Sequence, residues 1–265
     1  MYLMDYHTHT KISSDSTAAL EDMARAAADA GLSQLCVTDH CDLLDVDGKP
    51  NDSFRWAPAL AQFAHAAPRF LSRGLELKLG LELGVPHIDP AAAARLLELP
   101  ELDFVLGSVH NLTPAKGGID FYFVEYPDEA ACLAALEDYF SSLAVLAATD
   151  LYDVLAHIIY PLRYMKRPLS LLDRYQDAMR AILRTAAEKG RGMEVNTYRG
   201  RTLEDWRPIL AMFRACGGEI VTVGSDAHVP TGVGKGIPEA YELIREAGFS
   251  YVAGYHRRKP VFHKI

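Results

Sequence analysis

The chain has 265 residues, of which 49% are hydrophobic and 23% charged, a composition that allows one large domain with a substantial core. Its formal net charge of −8, without a long Lys/Arg run, argues against a nucleic-acid-binding surface. No uncharged apolar stretch reaches the roughly 18 residues that span a bilayer, no secretory signal is visible, and the four cysteines form no CxxC pair. We therefore expect a single-domain cytoplasmic protein over residues 1–265 that binds neither nucleic acid nor membrane.

Seven short β-branched or apolar runs alternate along the chain with longer Ala/Leu-rich segments of helical periodicity. In chain order, the predicted strands are YLMDYH, QLCVTDH, LKLGLEL, DFVLGSVH, DVLAHI, GMEVNT and EIVTVGSDAH. Asp89 before Pro90 predicts a capped helix start, and Ser170 with Asp173 predicts another, in a helix that Gly190 ends. This alternation predicts parallel strands joined by right-handed helical crossovers, and about seven units favour a β/α barrel over an open sheet.

Two stretches between these elements have the composition of long loops. DLLDVDGKPNDSFRW contains Gly, Pro and Asn, and NLTPAKGGIDFYFVEYP is rich in aromatic residues. We expect the second loop to cover a pocket, because loops over a rigid scaffold commonly carry binding residues.

Metal-ligand side chains recur where the predicted strands end. A single histidine at a strand end is more often structural, but eight His, Glu and Asp residues occupy six strand ends. The carboxyl ends of barrel strands converge on one face, and His with carboxylate ligands suits Zn, Mn or Fe. The other histidines, His65, His87, His256 and His263, are expected at the surface or near the site. The eight candidate ligands are His7, His9, His40, Glu82, His110, His157, Asp226 and His228.

The order of these motifs resembles the PHP (polymerase and histidinol phosphatase) superfamily from Asp5 to His228: HxH, TDH, a strand-end Glu, SVH, a lone His and GSDAH. The resemblance implies a distorted (β/α)7 TIM-like barrel with a metal site at the C-terminal ends of the strands. The chain length, the EVNT strand and the ending GFSYVAGYHRRKPVFHKI are similar to the stand-alone histidinol-phosphate phosphatases of histidine biosynthesis. Polymerase-linked PHP modules are less similar.

The same resemblance implies an arrangement of two to three divalent ions. Glu82 would bridge the first two ions, and the third would be held with Asp15, where some family members have His. Alternatively, Asp15 or Ser16 only caps a helix that begins near Thr17. The implied ligands are His7, His9, Glu82 and Asp226 for the first ion, Glu82, His110 and His157 for the second, and Asp15, His40 and His228 for the third.

The chemistry expected of such a site is hydrolysis of a small phosphate monoester. Three divalent ions with three ligand carboxylates give a local charge of about +3, which suits a phosphate dianion despite the acidic chain. A hydroxide bridging two ions would attack phosphorus, and Asp226 or His228 would assist the leaving alkoxide, a choice that stays open. Arg163 and Arg199 follow the fifth and sixth strands and are candidate phosphate ligands, or else solvated surface residues.

Three further polar residues are expected to support the ligands. Asp39 would orient His40 or cap the next segment, whereas Glu194 and Asn196 are either supporting groups or satisfied polar core residues.

The leading functional prediction is a histidinol-phosphate phosphatase. One alternative is a PHP phosphoesterase acting on nucleotides or other small phosphate esters, and a second is a catalytically silent metal-binding protein. The intact ligand set argues against the silent protein. The native metal, the exact alcohol and the oligomeric state stay open.

Overall fold

The computed structural model describes residues 2–165 and 169–265. Eight parallel strand segments follow one another around a sheet in the order β1-β2-β4-β5-β6-β7-β8, with β3 also paired to β4. Because β2 and β3 both lie beside β4, they form two segments of one strand position, and the sheet has the seven positions that the sequence predicts. The segments are β1 (Met4–Asp5), β2 (Gln34–Val37), β3 (His40–Asp42), β4 (Glu76–Gly84), β5 (Phe104–Ser108), β6 (Val154–Leu155), β7 (Gly192–Asn196) and β8 (Val221–Gly224).

Contacts between β1 and β8 bring the two edges of the sheet together. The Tyr6 N–H donates to the Val223 carbonyl at 2.8 Å, and the Asp226 N–H donates to the His7 carbonyl at 2.9 Å. A parallel bridge between Thr8 and Ala227 continues this pairing beyond the strand ends. The result is the distorted seven-position β/α barrel that the sequence predicts.

Within the described ranges, 2–165 and 169–265, seven α-helices alternate with the strands and pack their apolar faces on the barrel. Asp89 accepts the Ala92 N–H at 2.9 Å, which confirms the predicted capped start. The helices are α1 (Leu20–Asp29), α2 (Trp56–Leu71), α3 (Pro90–Leu96), α4 (Glu129–Ala147), α5 (Gln176–Glu188), α6 (Trp206–Ala215) and α7 (Ile237–Glu246).

The predicted start of α5 was wrong, whereas its end was predicted correctly. A 3-10 segment, Leu169–Tyr175, precedes the helix, which begins at Gln176 without a side-chain cap. The side chain of Ser170 lies outside the described residues. The helix ends at Glu188, and Gly190 adopts a φ of 66°, the left-handed conformation typical of a glycine after a helix.

Helix α4 is long and apolar enough to cross a membrane by length and composition, but 56% of its most apolar window is buried inside the fold. It packs against α5, and Leu136, Tyr139 and Leu143 are buried in the core. Such burial is typical of a core helix.

An antiparallel hairpin of β9 (Tyr251–His256) and β10 (Lys259–Lys264) follows α7 and was not among the predicted strands. Its turn residues reach the amino-terminal end of the barrel strands. The Arg257 N–H donates to Asp103, directly before β5, and the Arg258 guanidinium binds Asp153, directly before β6. The hairpin therefore lies at the opposite end of the barrel from the carboxyl ends that hold the candidate ligands.

Candidate metal centre

All nine predicted ligand residues meet at the carboxyl ends of the barrel strands. Seven of them line a cavity of about 470 Å³ that opens to solvent. The other two, His7 and His9, lie beneath it, with their Nε2 atoms 3.1 Å and 3.5 Å from Glu82 Oε2. His7 and His9 follow β1 on the same side, with ring centroids 5.0 Å apart, as two residues spaced i and i+2 on extended chain require. Asp226 has a φ of 58°, a strained conformation for a residue other than glycine and one that is typical of functional sites.

Glu82, in β4, is the centre of the cluster and is fully buried. Its Oε1 lies 2.8 Å from His157 Nε2 and 3.1 Å from His110 Nε2. Its Oε2 lies 3.1 Å from both His7 Nε2 and His40 Nδ1. The two oxygens thus face different groups of imidazoles, which is the geometry of a bridging carboxylate.

The first ligand group contains His7, His9, Glu82 and Asp226. Asp226 Oδ1 lies 3.7 Å from His7 Nε2 and 3.5 Å from His9 Nε2. His9 Nε2 is buried and has no hydrogen-bond partner among residues 2–165 and 169–265. This is an expensive arrangement for a polar atom unless a ligand such as a metal ion fills its coordination. Within this group, His7, His9 and Glu82 each offer a ligand atom within 4.8 Å of the others. These residues fit a divalent ion.

The second ligand group contains Glu82, His110 and His157. The two imidazole Nε2 atoms are 3.3 Å apart and both lie near Glu82 Oε1. All three side chains are buried. The arrangement fits a second ion that shares Glu82 with the first.

The third group contains Asp15, His40 and His228. Asp15 Oδ2 lies 2.9 Å from His228 Nε2 and 3.6 Å from His40 Nε2. Helix α1 begins at Leu20 with Ala19 as its N-cap and no side-chain cap, so Asp15 does not cap it. Ser16 instead donates to the His228 carbonyl at 2.8 Å. The position of Asp15 supports the predicted ligand role, and the residue stays a predicted ligand.

Neighbouring polar groups hold the imidazoles in the orientation that metal binding requires. His7 Nδ1 lies 2.7 Å from Glu194, and His110 Nδ1 lies 2.7 Å from Asp42. A carboxylate that accepts the Nδ1–H leaves the Nε2 lone pair free for a metal. Glu194 therefore orients the ligand His7, which was one of the two roles predicted for it. Its Oε2 also accepts the His157 backbone N–H.

Asp42 was missed by the sequence reasoning, although His40 and Asp42 are two residues apart and lie on the same side of the extended chain. The expectation that Asp39 orients His40 through its side chain was wrong. Asp39 accepts hydrogen bonds from the Thr10 N–H and from Ser13 Oγ, at 2.6 and 2.8 Å. Ser13 Oγ in turn lies 3.2 Å from His9 Nδ1, so the carboxylate acts through Ser13 on His9.

The charges of the site shift its pKa values strongly. Burial raises the pKa of Glu82, but His7, His40 and His110 outweigh burial and hold it well below its usual range. Burial likewise raises the pKa of Asp226, and His7 and Arg163 together hold it well below the ordinary value. Both carboxylates are therefore ionised and available as ligands at neutral pH.

The two candidate phosphate-binding arginines have different environments. Arg163 is buried, and its guanidinium donates to Asp226 Oδ2 at 2.7 Å and to Asn196 Oδ1 at 2.8 Å. Arg199 lines the cavity and is only partly buried, and its Nε has no hydrogen-bond partner in the part of the chain that the structure describes. Both guanidinium groups contact the ring of Tyr198, with Cζ at 4.3 Å and 4.6 Å from its centroid.

The aromatic loop after β5 lines the cavity, as predicted. Tyr122 and Phe123 are largely exposed on its wall, near Asp120. Tyr160 and Tyr164 continue the same wall. Of the four remaining histidines, His65 and His256 are exposed, and none belongs to a ligand group among the residues that the structure describes.

Comparison with known proteins identifies the family of the chain. The family model described as "PHP domain" matches residues 5–198, about three quarters of the chain. The chain belongs to the PHP domain family. It is 26% identical over 275 residues to the "Histidinol-phosphatase" of Lactococcus lactis, covering 98% of this chain and 96% of that protein. It is 29% identical over 262 residues to the "Probable histidinol-phosphatase" of Deinococcus radiodurans, covering 97% and 98%.

A solved structure has the same PHP fold. The crystal structure of histidinol phosphate phosphatase from Lactococcus lactis, complexed with Zn, L-histidinol and phosphate, superposes with a TM-score of 0.82. It covers 98% of each chain at 23% sequence identity. At this identity the superposition establishes the PHP barrel fold.

Proposed function

We propose that this PHP protein is a metal-dependent phosphomonoester hydrolase that converts L-histidinol phosphate to L-histidinol and phosphate, in the cytoplasm. The proposal depends on one observation, the geometry of the site. Three groups of His and carboxylate side chains lie at the floor of a cavity, and the partly buried Arg199 lies in its wall. Relatives named histidinol-phosphatase, matched over nearly the whole length of both chains, support the choice of substrate. The cavity volume of about 470 Å³ suits a small molecule.

We assign two to three divalent ions, Zn, Mn or Fe, to the three ligand groups. Bound there, such ions supply positive charge for the phosphoryl oxygens and lower the pKa of water. Zn is present in the Lactococcus lactis structure, which supports zinc as one of the metals.

The protein's own groups then have separate tasks. Arg199 reaches the phosphate with a planar guanidinium whose geometry matches phosphoryl oxygens. Arg163 holds Asp226 in place through its 2.7 Å ion pair and stacks on Tyr198. Because His7 and Arg163 overcome the effect of burial and keep the pKa of Asp226 low, this carboxylate is ionised and would serve as a metal ligand or accept a proton.

The test is a panel of phosphate monoesters assayed with metal-free enzyme and with enzyme reconstituted with Zn, Mn or Fe. We expect kcat/KM for histidinol phosphate to exceed that for nucleoside monophosphates and aryl phosphates by at least about tenfold. Activity must disappear with the metal and return on reconstitution. Equal rates across the panel would leave a generic phosphatase, and metal-bound protein without turnover would favour a silent metal-binding protein.

A further inference from the structure

Tyr198 lies two residues after β7, in a turn with an uncommon backbone conformation. Tyr198, Arg199 and Gly200 have φ values of 45°, 58° and 84°, so all three are left-handed. This conformation is costly for the first two residues, which carry a Cβ, and such residues occur where function requires a particular placement of side chains. Both Tyr198 and Arg199 line the cavity above the metal centre.

Hydrogen bonds to the barrel hold this turn in place. The Tyr198 N–H donates to Asn196 Oδ1 at 2.9 Å, and Asn196 is the last residue of β7. The Arg199 N–H donates to the Ser225 carbonyl at 3.0 Å, directly before the ligand Asp226. The positions of both side chains are therefore set by the same strand ends that carry the candidate metal ligands.

The ring of Tyr198 contacts two guanidinium groups that differ in their other partners. Arg163 has an ion pair with Asp226 and a hydrogen bond to Asn196 in addition to the ring. Among residues 2–165 and 169–265, Arg199 forms no ion pair, and its Nε donates no hydrogen bond. The Tyr198 ring, 4.6 Å from Arg199 Cζ, is therefore the main contact that holds this guanidinium.

The aliphatic part of Arg199 packs against Gly232. A Cβ added to Gly232 would lie 3.3 Å from Arg199 Cδ and 3.4 Å from Arg199 Cγ, closer than an ordinary van der Waals contact. The glycine thus leaves just enough room for the stem of the side chain, and the Tyr198 ring contacts its charged end. Together the two contacts restrict where the guanidinium can lie in the cavity.

An aromatic ring suits this position better than a carboxylate would. A carboxylate beside Arg199 would neutralise its charge and compete with phosphate for its N–H donors. An aromatic face attracts the cation through its quadrupole and leaves the positive charge available to an anionic ligand. The ring can therefore hold Arg199 without reducing its affinity for phosphate.

We propose that Tyr198 is a positioning residue that holds the Arg199 guanidinium in the cavity for a phosphate group, through a cation–π contact. The inference rests on the proposed function, which assigns Arg199 to the phosphate, and it adds the residue that orients this arginine. Tyr198 acts through Arg199 and takes no part in the reaction itself.

The decisive variants are Tyr198→Phe and Tyr198→Leu. Both keep a side chain with a Cβ at this left-handed position, and only the first keeps the ring. The matched control is Tyr251→Leu, at an exposed tyrosine of β9 that does not line the cavity. The main probe is inorganic phosphate, whose affinity for the metal-loaded protein is measured by calorimetry. Kinetics with histidinol phosphate, elemental analysis and Tm measurements accompany it.

We expect Tyr198→Leu to weaken phosphate affinity and to lower kcat/KM by about threefold to tenfold, the range for a cation–π contact at a partly exposed site. Tyr198→Phe and Tyr251→Leu should match the wild type, and metal content should not change in any variant. In an Arg199→Met background, Tyr198→Leu should have no further effect, because the proposed role acts only through that guanidinium.

A loss in Tyr198→Phe as large as that in Tyr198→Leu would assign the effect to the hydroxyl and overturn the inference. Unchanged phosphate affinity in Tyr198→Leu would also overturn it, as would a loss that persists in the Arg199→Met background. If Tyr198→Leu does not fold, mono-, tri- and pentafluorophenylalanine in place of Tyr198 keep the ring and withdraw electron density from its face. A stepwise decrease in phosphate affinity then supports the cation–π contact, and a constant affinity refutes it.

The proposed function fails separately, if the wild-type enzyme does not prefer histidinol phosphate. Phosphate affinity still tests Tyr198 in that case, because inorganic phosphate carries no alcohol. Metal-loaded wild-type protein that binds no phosphate would overturn the inference.

Discussion

Among single residues, Glu82 has the most demanding environment of the site. Its side chain is fully buried, and imidazole nitrogens from four histidines lie within 3.1 Å of its two oxygens. Ser108 donates a further hydrogen bond at 2.6 Å. Only an ionised carboxylate offers lone pairs on both of its oxygens. An amide at this position would point N–H groups at one of the two pairs of imidazoles.

We predict that Glu82→Gln lowers kcat/KM by at least about a hundredfold and reduces the bound metal, since both ions that share this residue lose a ligand. Elemental analysis and steady-state kinetics measure the two effects. Glu76→Gln is the control, because Glu76 lies at the other end of β4 and pairs with Lys78. A Glu82→Gln protein with full metal content would show that Glu82 is not a bridging ligand.

The two arginines should differ in what they control. Arg199→Met should lower kcat/KM by about tenfold to a hundredfold and weaken inhibition by inorganic phosphate, with metal content unchanged. Arg163→Met should also lower metal content, because Asp226 loses its ion pair while remaining buried. Kinetics, phosphate inhibition constants and elemental analysis separate the two variants.

Arg201→Met provides the control for the arginine prediction. Arg201 also contacts the Tyr198 ring, with Cζ at 5.3 Å from its centroid, but it is exposed and does not line the cavity. The activity of the Arg201→Met protein should match that of the wild type. If Arg199→Met keeps wild-type kinetics and phosphate inhibition, the phosphate ligand must be another residue, with Arg163 the first candidate.

At the scale of elements, the loop after β1 orients a ligand through a chain of hydrogen bonds. Ser13 donates to Asp39 and lies within hydrogen-bond distance of the His9 ring and the His40 N–H. Ser13→Ala should therefore reduce metal affinity by about tenfold to a hundredfold, the usual effect of removing a group that orients a ligand. Ser14→Ala is the control, because Ser14 is exposed. Equal metal affinity of the two variants, measured by competition with a chelator, would exclude this role for Ser13.

The ligand residues at the strand ends were predictable because the sequence pattern and the geometry of parallel strands place them on the same face of the barrel. Residues i and i+2 share a side of a strand, and parallel barrel strands end on one face, so the HxH and DxH pairs indicated a common site. The link from Asp39 through Ser13 to His9 was not predictable, because it depends on how the loop after β1 folds back. The start of α5 was misplaced for a related reason: its capping pattern is local, and a 3-10 segment precedes the helix instead.

At the scale of the whole molecule, the barrel brings residues far apart in sequence into contact. His7 and Glu194 are 187 positions apart and lie within 2.7 Å. Strand order alone predicts that such residues share a face, and it predicts neither which pairs touch nor where side chains on the connecting loops lie. Asp120 is an example, because its place in the wall depends on the contact with Val46. The sequence of the aromatic loop after β5 indicated only that this loop covers a pocket.

The ligand cluster also makes the stability of the whole molecule depend on pH. Burial lowers the pKa of His40, but Glu82 and Asp15 outweigh burial and raise it from 6.5 to about 9 in the metal-free protein. Because the pKa is higher in the folded state, protonated His40 stabilises metal-free protein fully below pH 6.5. That contribution is lost as the pH rises through about 9. Metal ions bind neutral imidazole, so their affinity increases over the same range.

We therefore predict that the difference in Tm between metal-bound and metal-free protein widens from pH 6.5 to pH 9, as the proton stops competing for His40. A gap larger by several degrees is expected, since about 1 kcal/mol shifts Tm by roughly 2–4 °C in a chain of this size. His40→Ala should flatten this dependence, whereas His65→Ala, at an exposed position on α2, should leave it unchanged. Scanning calorimetry across this pH range provides the measurement. A gap that stays constant in wild-type protein, or that widens equally in His40→Ala, would show that His40 does not exchange a proton for a metal ion.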